Sequence, residues 1–219
     1  MQELNHEMFS ENKWPILKAL AEKQQSQTEL AAKTGTSLSN ITQQIKLLEA
    51  YNVVKRHRDP EKSAGKPKTI YSLNTEIVYA IMLKNGKAEK KTFRIEGVIS
   101  LVFNSLFLPN PDDTFYIIKF FIRHEEMLKK CKAIGFLKSG KDSIELFLIT
   151  DNVDEIRIKF SNTFVEDTSG RTKKIINWTH NEFEINDGLH RKDKYFVDIF
   201  KNVQALYDPQ GLIERFKHT

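Results

Sequence analysis

Residues 27–74, QTELAAKTGTSLSNITQQIKLLEAYNVVKRHRDPEKSAGKPKTIYSLN, decide how the first third of this chain folds. Ser26-Gln27-Thr28-Glu29 has the S-x-x-E form of a capping box, in which the serine oxygen and the glutamate carboxylate each satisfy a free amide at a helix start. The helix that follows ends at Gly35. Ser37 offers a second N-cap, and Ile41, Ile45 and Leu48 at i, i+4 and i+7 give one narrow apolar stripe running to about Tyr51. Val53 to His57 and Thr69 to Leu73 are β-prone, and Pro60, Gly65 and Pro67 between them suit a loop. Upstream, Ile16, Leu17 and Leu20 recur at helical spacing, with Pro15 tolerable in the first turn after Asn12.

Three helices with a tight second-to-third turn and a terminal hairpin are the plan of a winged helix-turn-helix, which sets one helix in the DNA major groove. Over about residues 10 to 75 the chain resembles the MarR- and ArsR-type winged-helix regulators. The carriers are E-L-A-x-x-x-G at Glu29 to Gly35, the I-x-x-x-I-x-x-L-E helix, the V-V-K-R strand, and the G-K-P-x-x-x-Y-x-L return. The resemblance implies that Ser39, Asn40, Thr42, Gln43 and Lys46 form a reading surface turned away from the apolar stripe. Asn and Gln can pair bidentately with adenine, and a lysine can reach guanine or phosphate. It likewise implies phosphate or minor-groove contacts from Arg56, Arg58, Lys66 and Lys68. The same helix residues would also suit an ordinary solvated face, and His57 among the cations reads as a bystander.

Net charge adds little by itself, since 34 Lys and Arg against 29 Asp and Glu leave only +5. The useful point is its placement: Lys55, Arg56, Arg58, Lys62, Lys66 and Lys68 crowd residues 55–68 against Asp59 and Glu61. Hydrophobic residues at 40% and charged residues at 29% supply a core and exclude global disorder. No apolar run approaches the roughly 18–20 residues that span a bilayer. The start, MQELNHEM, lacks a secretory pattern, and the single cysteine, Cys131, cannot close an internal disulfide. Both point to the cytoplasm and to no membrane partner.

Beyond residue 75 the signals thin. Ile77 to Leu83, Asn85-Gly86 and Thr92 to Ile95 read as a hairpin, or alternatively as a short helix before Asn85. Val98 to Phe107 and Phe115 to Lys130 read as helices separated by Leu108-Pro109-Asn110-Pro111. Phe93, Phe103, Phe107, Phe115, Tyr116, Phe120 and Phe121 are interleaved with Ile, Leu and Val rather than with cations, which favours core or dimer packing over a base-stacking platform. We expect a homodimer using some of Val98, Leu101, Phe103, Phe107 and Phe120.

Residues 133–150 read as two strands joined at Lys138 to Asp142. A helix through Val153, Ile156, Phe160 and Phe164 follows, then a strand over Lys174 to Trp178, and then a helical region from Asp193 interrupted at Asp208-Pro209. This order, with S-I-E-L-F-L-I at Ser143 to Ile149, T-x-x-E-F at Thr179 to Phe183 and L-Y-D at Leu206 to Asp208, resembles the small nucleotidyltransferase fold over about residues 125–217. Active members hold two metals on a D-x-D pair. Here Ser143 and Glu145 stand in those places, and Ser139-Gly140 is the only trace of the phosphate loop. The resemblance therefore implies a domain without catalytic residues, metal or cofactor.

Elsewhere the six histidines form no zinc spacing, no P-loop or G-x-S-x-G occurs, and Asp187 and His190 read as loop residues. The expected fold is α+β. It divides into a winged helix-turn-helix at 1–75, a connector and dimerisation segment at 76–130, and a nucleotidyltransferase-like α+β domain at 131–219. The expected function is a transcriptional regulator of double-stranded DNA whose second domain serves assembly or senses a nucleotide or other small-molecule effector. The alternatives are a nucleotidyltransferase acting on a nucleotide, tRNA or protein, disfavoured by the missing D-x-D, and a protein-docking module.

Overall fold

In the computed structural model, which describes residues 6–58 and 68–219, the first helix starts where proline costs least. α1, Trp14–Glu22, follows a 3-10 turn at His6–Phe9 and carries Pro15 in its first turn, with Lys13 rather than Asn12 at the N-cap. α2, Gln27–Thr34, opens on the complete capping box of Ser26 and Glu29 and closes on Gly35 at φ 66°, a left-handed conformation that favours glycine. α3, Leu38–Ala50, is capped by the Ser37 side chain, which accepts from the Asn40 amide at 3.3 Å. Ile41, Ile45 and Leu48 are wholly buried against Leu30, Ile16 and Leu20, so truncating any one of them to alanine would cost about 2–5 kcal/mol.

β1, Val54–Arg58, pairs antiparallel with β2, Thr69–Leu73, in the register Val54↔Leu73 to Arg58↔Thr69. Tyr71 and Gln25 exchange backbone hydrogen bonds of 2.8 and 3.0 Å, which seats the pair on the turn between α1 and α2. A second hairpin, β3 at Ile77–Lys84 and β4 at Lys87–Arg94, turns at Asn85-Gly86, where Gly86 supplies the positive φ of 77°. The hairpin reading of this segment therefore applies, and the helical one does not.

The chain divides into two compact units, residues 1–94 and 95–219. The boundary cuts the expected 76–130 connector in two: its hairpin belongs to the first unit and its helices to the second.

The second unit opens with α4, Val98–Leu106, α5, Asp112–Arg123, and α6, Glu125–Lys130. The last two were expected as one helix but are broken at His124. Then follow β5, Cys131–Ser139, β6, Ser143–Thr150, α7, Val153–Phe160, β7, Asn162–Glu166, β8, Thr172–His180, α8, Glu182–His190, α9, Lys194–Asn202, β9, Gln204–Tyr207, and α10, Leu212–Lys217. They build a five-stranded mixed sheet in the order β7-β8-β6-β5-β9, parallel only between β6 and β8.

Period-two alternation sends Ile144, Leu146 and Leu148 of β6 into a layer with α4 to α7, and Phe147 and Ile149 into an opposite layer with α8 to α10. Leu101 and Phe120, expected at a dimer surface, are 1% and 0% exposed in the first of these layers and are core residues. Phe164 is not helical: α7 ends at Phe160, and Phe164 lies on β7 with 65% of its surface exposed. Asp187 and His190 are on α8 rather than in a loop, and β9 interrupts the expected last helical region. Among the described residues, no helix is long and apolar enough to cross a membrane.

Candidate nucleic-acid interface

The capped start of α3 and its single buried stripe fix which side chains face outward. Ser39, Gln43 and Lys46, at i, i+4 and i+7, are exposed together, and Lys46 has no ion-pair partner among the described residues. Leu38 and Leu47 on the same helix are 50% and 39% exposed, two apolar surfaces beside the polar row.

Asn40 and Thr42 are half-buried and engaged. The Asn40 Oδ1 accepts from Gln44 Nε2 at 3.1 Å. The Thr42 hydroxyl donates to the Leu38 carbonyl at 2.8 Å and lies 3.2 Å from Gln27 Oε1. Gln27 in turn donates to the Tyr71 hydroxyl at 3.1 Å. A chain Tyr71–Gln27–Thr42 thus fixes α3 against the start of α2 and against β2, and Thr42 and Gln27 hold the helix in place rather than project from it. Gln27 was invisible in the sequence because its partners lie 15 and 44 positions away.

The hairpin cations differ from one another. Lys55, Arg56 and Arg58 are exposed, while Arg56 approaches Glu49 at 3.7 Å. Lys68 is tied to Glu29 at 2.8 Å, and that bond, with the donations from the Ser26 amide and hydroxyl, lowers the Glu29 carboxyl to about 2. His57 meets Gln24 at 2.8 Å. Lys66, with the rest of residues 59–67, lies outside the described residues.

In the second unit, Ser143 and Glu145 share the sheet face of Lys174, Ile176 and Trp178. Glu145 is fully engaged: it accepts from Trp178 Nε1 at 2.9 Å and pairs with Lys138 at 3.2 Å. Beyond Trp178, His180 bridges Glu184 and the Tyr195 hydroxyl, each at 2.9 Å. Burial among Phe147, Tyr195 and Phe196 lowers the His180 pKa, against the pull of Glu184, and burial pushes Tyr195 up to about 12.

On the opposite side of the β5–β6 turn lies a cleft of about 600 Å³ walled by Asp113, Ser139, Gly140, Lys141, Arg171 and Lys173. The buried Lys173 ammonium donates to Asp113 Oδ1 at 2.8 Å, the Gly140 carbonyl at 2.9 Å and Ser139 at 3.3 Å. All three donors are therefore occupied within the protein. The polar groups of the β5–β6 turn, the Ser139 hydroxyl and the Gly140 carbonyl, are thereby taken up by this lysine. Among the described residues, no group of three or more His, Cys, Asp and Glu side chains converges. Compared with known proteins, the chain matches no family model and no curated protein significantly.

Proposed function

We propose that the chain is a DNA-binding transcriptional regulator. Residues 14–73 act as a winged helix-turn-helix whose α3 reads the major groove of double-stranded DNA while β1 and β2 straddle the adjacent backbone. The observation that carries this reading is the outward row Ser39, Gln43 and Lys46, with no ion-pair partner for Lys46 among the described residues, on a helix held in place by the Tyr71–Gln27–Thr42 chain. Pre-positioned donors and acceptors on a rigid element are what base-edge recognition requires. Asn40 contributes its remaining amide hydrogens. Arg56, Arg58 and Lys66 supply sequence-independent affinity through phosphate contacts, and Lys68, held by Glu29, adds less than a full contact.

The protein acts as a homodimer in the cytoplasm, and residues 131–219 serve as a nucleotidyltransferase-like domain for assembly or for sensing a small-molecule effector. A catalytic role for that domain is disfavoured by the engagement of Glu145 with Lys138 and Trp178, which leaves no free carboxylate pair on its strand face.

Selection of bound sites from random duplexes, followed by fluorescence anisotropy over a salt series, tests the assignment. Gln43→Ala should lose about 1–3 kcal/mol of discrimination at one or two base pairs while leaving nonspecific affinity nearly intact. Arg58→Ala should weaken binding to every sequence and flatten the log-log salt slope by about 0.9. Failure of the folded protein to enrich any sequence, or Gln43→Ala binding all sites as the parent does, would remove α3 from the interface.

A further inference from the structure

Strand β3, Ile-Val-Tyr-Ala-Ile-Met-Leu-Lys, is uncharged until its last residue, and its end is bare: Ile81, Met82 and Leu83 are 60%, 40% and 77% exposed. β4 is the reverse, with Lys87, Glu89, Lys90, Lys91 and Arg94 in eight residues. Among the described residues these two strands pair only with each other. A lone two-stranded ribbon is marginal in water, and charge, lysine above all, is how natural sheets blunt a free edge. The hairpin therefore has one protected edge, β4, and one unprotected edge, β3.

We propose that β3 pairs antiparallel with β3 of a second copy of this chain about a two-fold axis at Ala80. The result is a closed four-stranded sheet with a lysine-rich β4 at each outer edge. The register follows from charge and from hydrogen-bond phase. Centring on Ala80 sets Ile77 opposite the partner's Leu83, Val78 opposite the partner's Met82 and Tyr79 opposite the partner's Ile81. It also brings Glu76, which immediately precedes the strand, opposite the partner's Lys84, twice by symmetry.

Within the hairpin, Lys84 and Lys87 flank the two-residue turn and form a hydrogen-bonded pair, so the alternation directs the N–H and C=O groups of residues 77, 79, 81 and 83 outward. The same register makes those odd residues the hydrogen-bonded pairs between copies and leaves Ala80 facing itself in a non-hydrogen-bonded pair. Apolar matching, two ion pairs and backbone phase thus agree on one alignment. The pairing stands whether or not the first unit binds DNA.

Cysteine placement in the full chain tests the alignment directly. Cα atoms of a non-hydrogen-bonded pair lie about 4.5 Å apart, inside the range of a disulfide. Ala80→Cys should therefore cross-link to a covalent dimer under mild oxidant. Val78→Cys, whose own copy sits four residues further along at about 13–14 Å, should not. The native Cys131 is buried and does not compete.

By sedimentation at tens of micromolar the parent should be a dimer. Glu76→Lys should weaken it about tenfold by setting like charges opposite each other, and Lys84→Glu added in the same chain should restore it. A monomeric parent, an open-ended assembly, equal cross-linking at positions 78 and 80, or no rescue by the charge swap would overturn the proposal. A dimer passing these tests without any affinity for DNA would overturn the DNA reading alone.

Discussion

Glu29 should be an internal brake on DNA binding. Its carboxylate has two jobs: it completes the capping box at the start of α2, and it holds Lys68 at 2.8 Å. Glutamine can do the first job, since capping boxes accept Glu or Gln at this position, but carries no charge for the second. Glu29→Gln therefore frees one ammonium beside the proposed wing while keeping the cap.

One additional phosphate contact has a log-log salt slope of about −0.9, so at 0.1 M salt the affinity gain is about eightfold, or about 1.2 kcal/mol. The loss of fold stability should stay near or below about 1 kcal/mol, because Lys68 and Glu29 are both partly solvated and an exposed pair contributes little. Anisotropy with one duplex, from about 0.05 to 0.3 M salt, reads both affinity and slope; circular dichroism confirms the fold. Lys68→Ala in the parent background should change the slope by less than 0.9, because its charge is already countered. A folded Glu29→Gln variant with the parent's slope, alongside a Lys68→Ala variant that loses a full phosphate contact, would refute the reasoning.

Three further outcomes follow from the geometry. Lys173→Met should destabilise the second unit by about 3–5 kcal/mol in urea unfolding, because it strands the fully buried Asp113, whereas Lys173→Met with Asp113→Leu should recover most of that loss. Gly188→Ala should cost about 1–3 kcal/mol, since a Cβ there would run into the Phe196 ring. The lowered His180 pKa means that the folded state resists protonation more than the unfolded state does. Stability from this site is therefore complete above the unfolded value of about 6.5 and falls as pH drops through it. Thermal unfolding between pH 8 and 5 should show a slope that His180→Phe reduces.

How much of this was legible beforehand depended on how local the cause was. The ends of α2 and α3 are written within a few residues, in Ser26 and Glu29, Gly35, and Ser37, and the structure has them where the spacing puts them. The Asn85-Gly86 turn is equally local. α8 was missed because its buried residues are only Ile185 and Gly188, while Phe183 is 77% exposed, so no apolar stripe marks it. Phe164 imitated a helical i+4 neighbour of Phe160 although it is the exposed side of a strand.

At the proposed interface, residue type and outward facing were readable for Ser39, Gln43 and Lys46. The engagement of Thr42 and the neutralisation of Lys68 depend on partners 15 and 39 positions away, which no short-range pattern encodes. The Lys173–Asp113 pair, 60 positions apart, belongs to the same class.

The pairing of β9 with β5 has a consequence for biosynthesis. Ile134 meets Tyr207 across this ladder, so one side of β5 waits for a partner made more than seventy residues later. The helices of the first unit close over neighbours in sequence and can fold early, whereas a non-local ladder is slow to form. During that interval a nascent chain carries an open strand bearing Ile134 and Phe136, the type of surface that recruits chaperones or templates misassembly. Loss of residues 208–219 would take the whole of α10 and Leu212, Ile213 and Phe216 from the layer that covers Phe147 and Ile149. A frameshift or nick there should be read by the cell as a failure of the entire second unit.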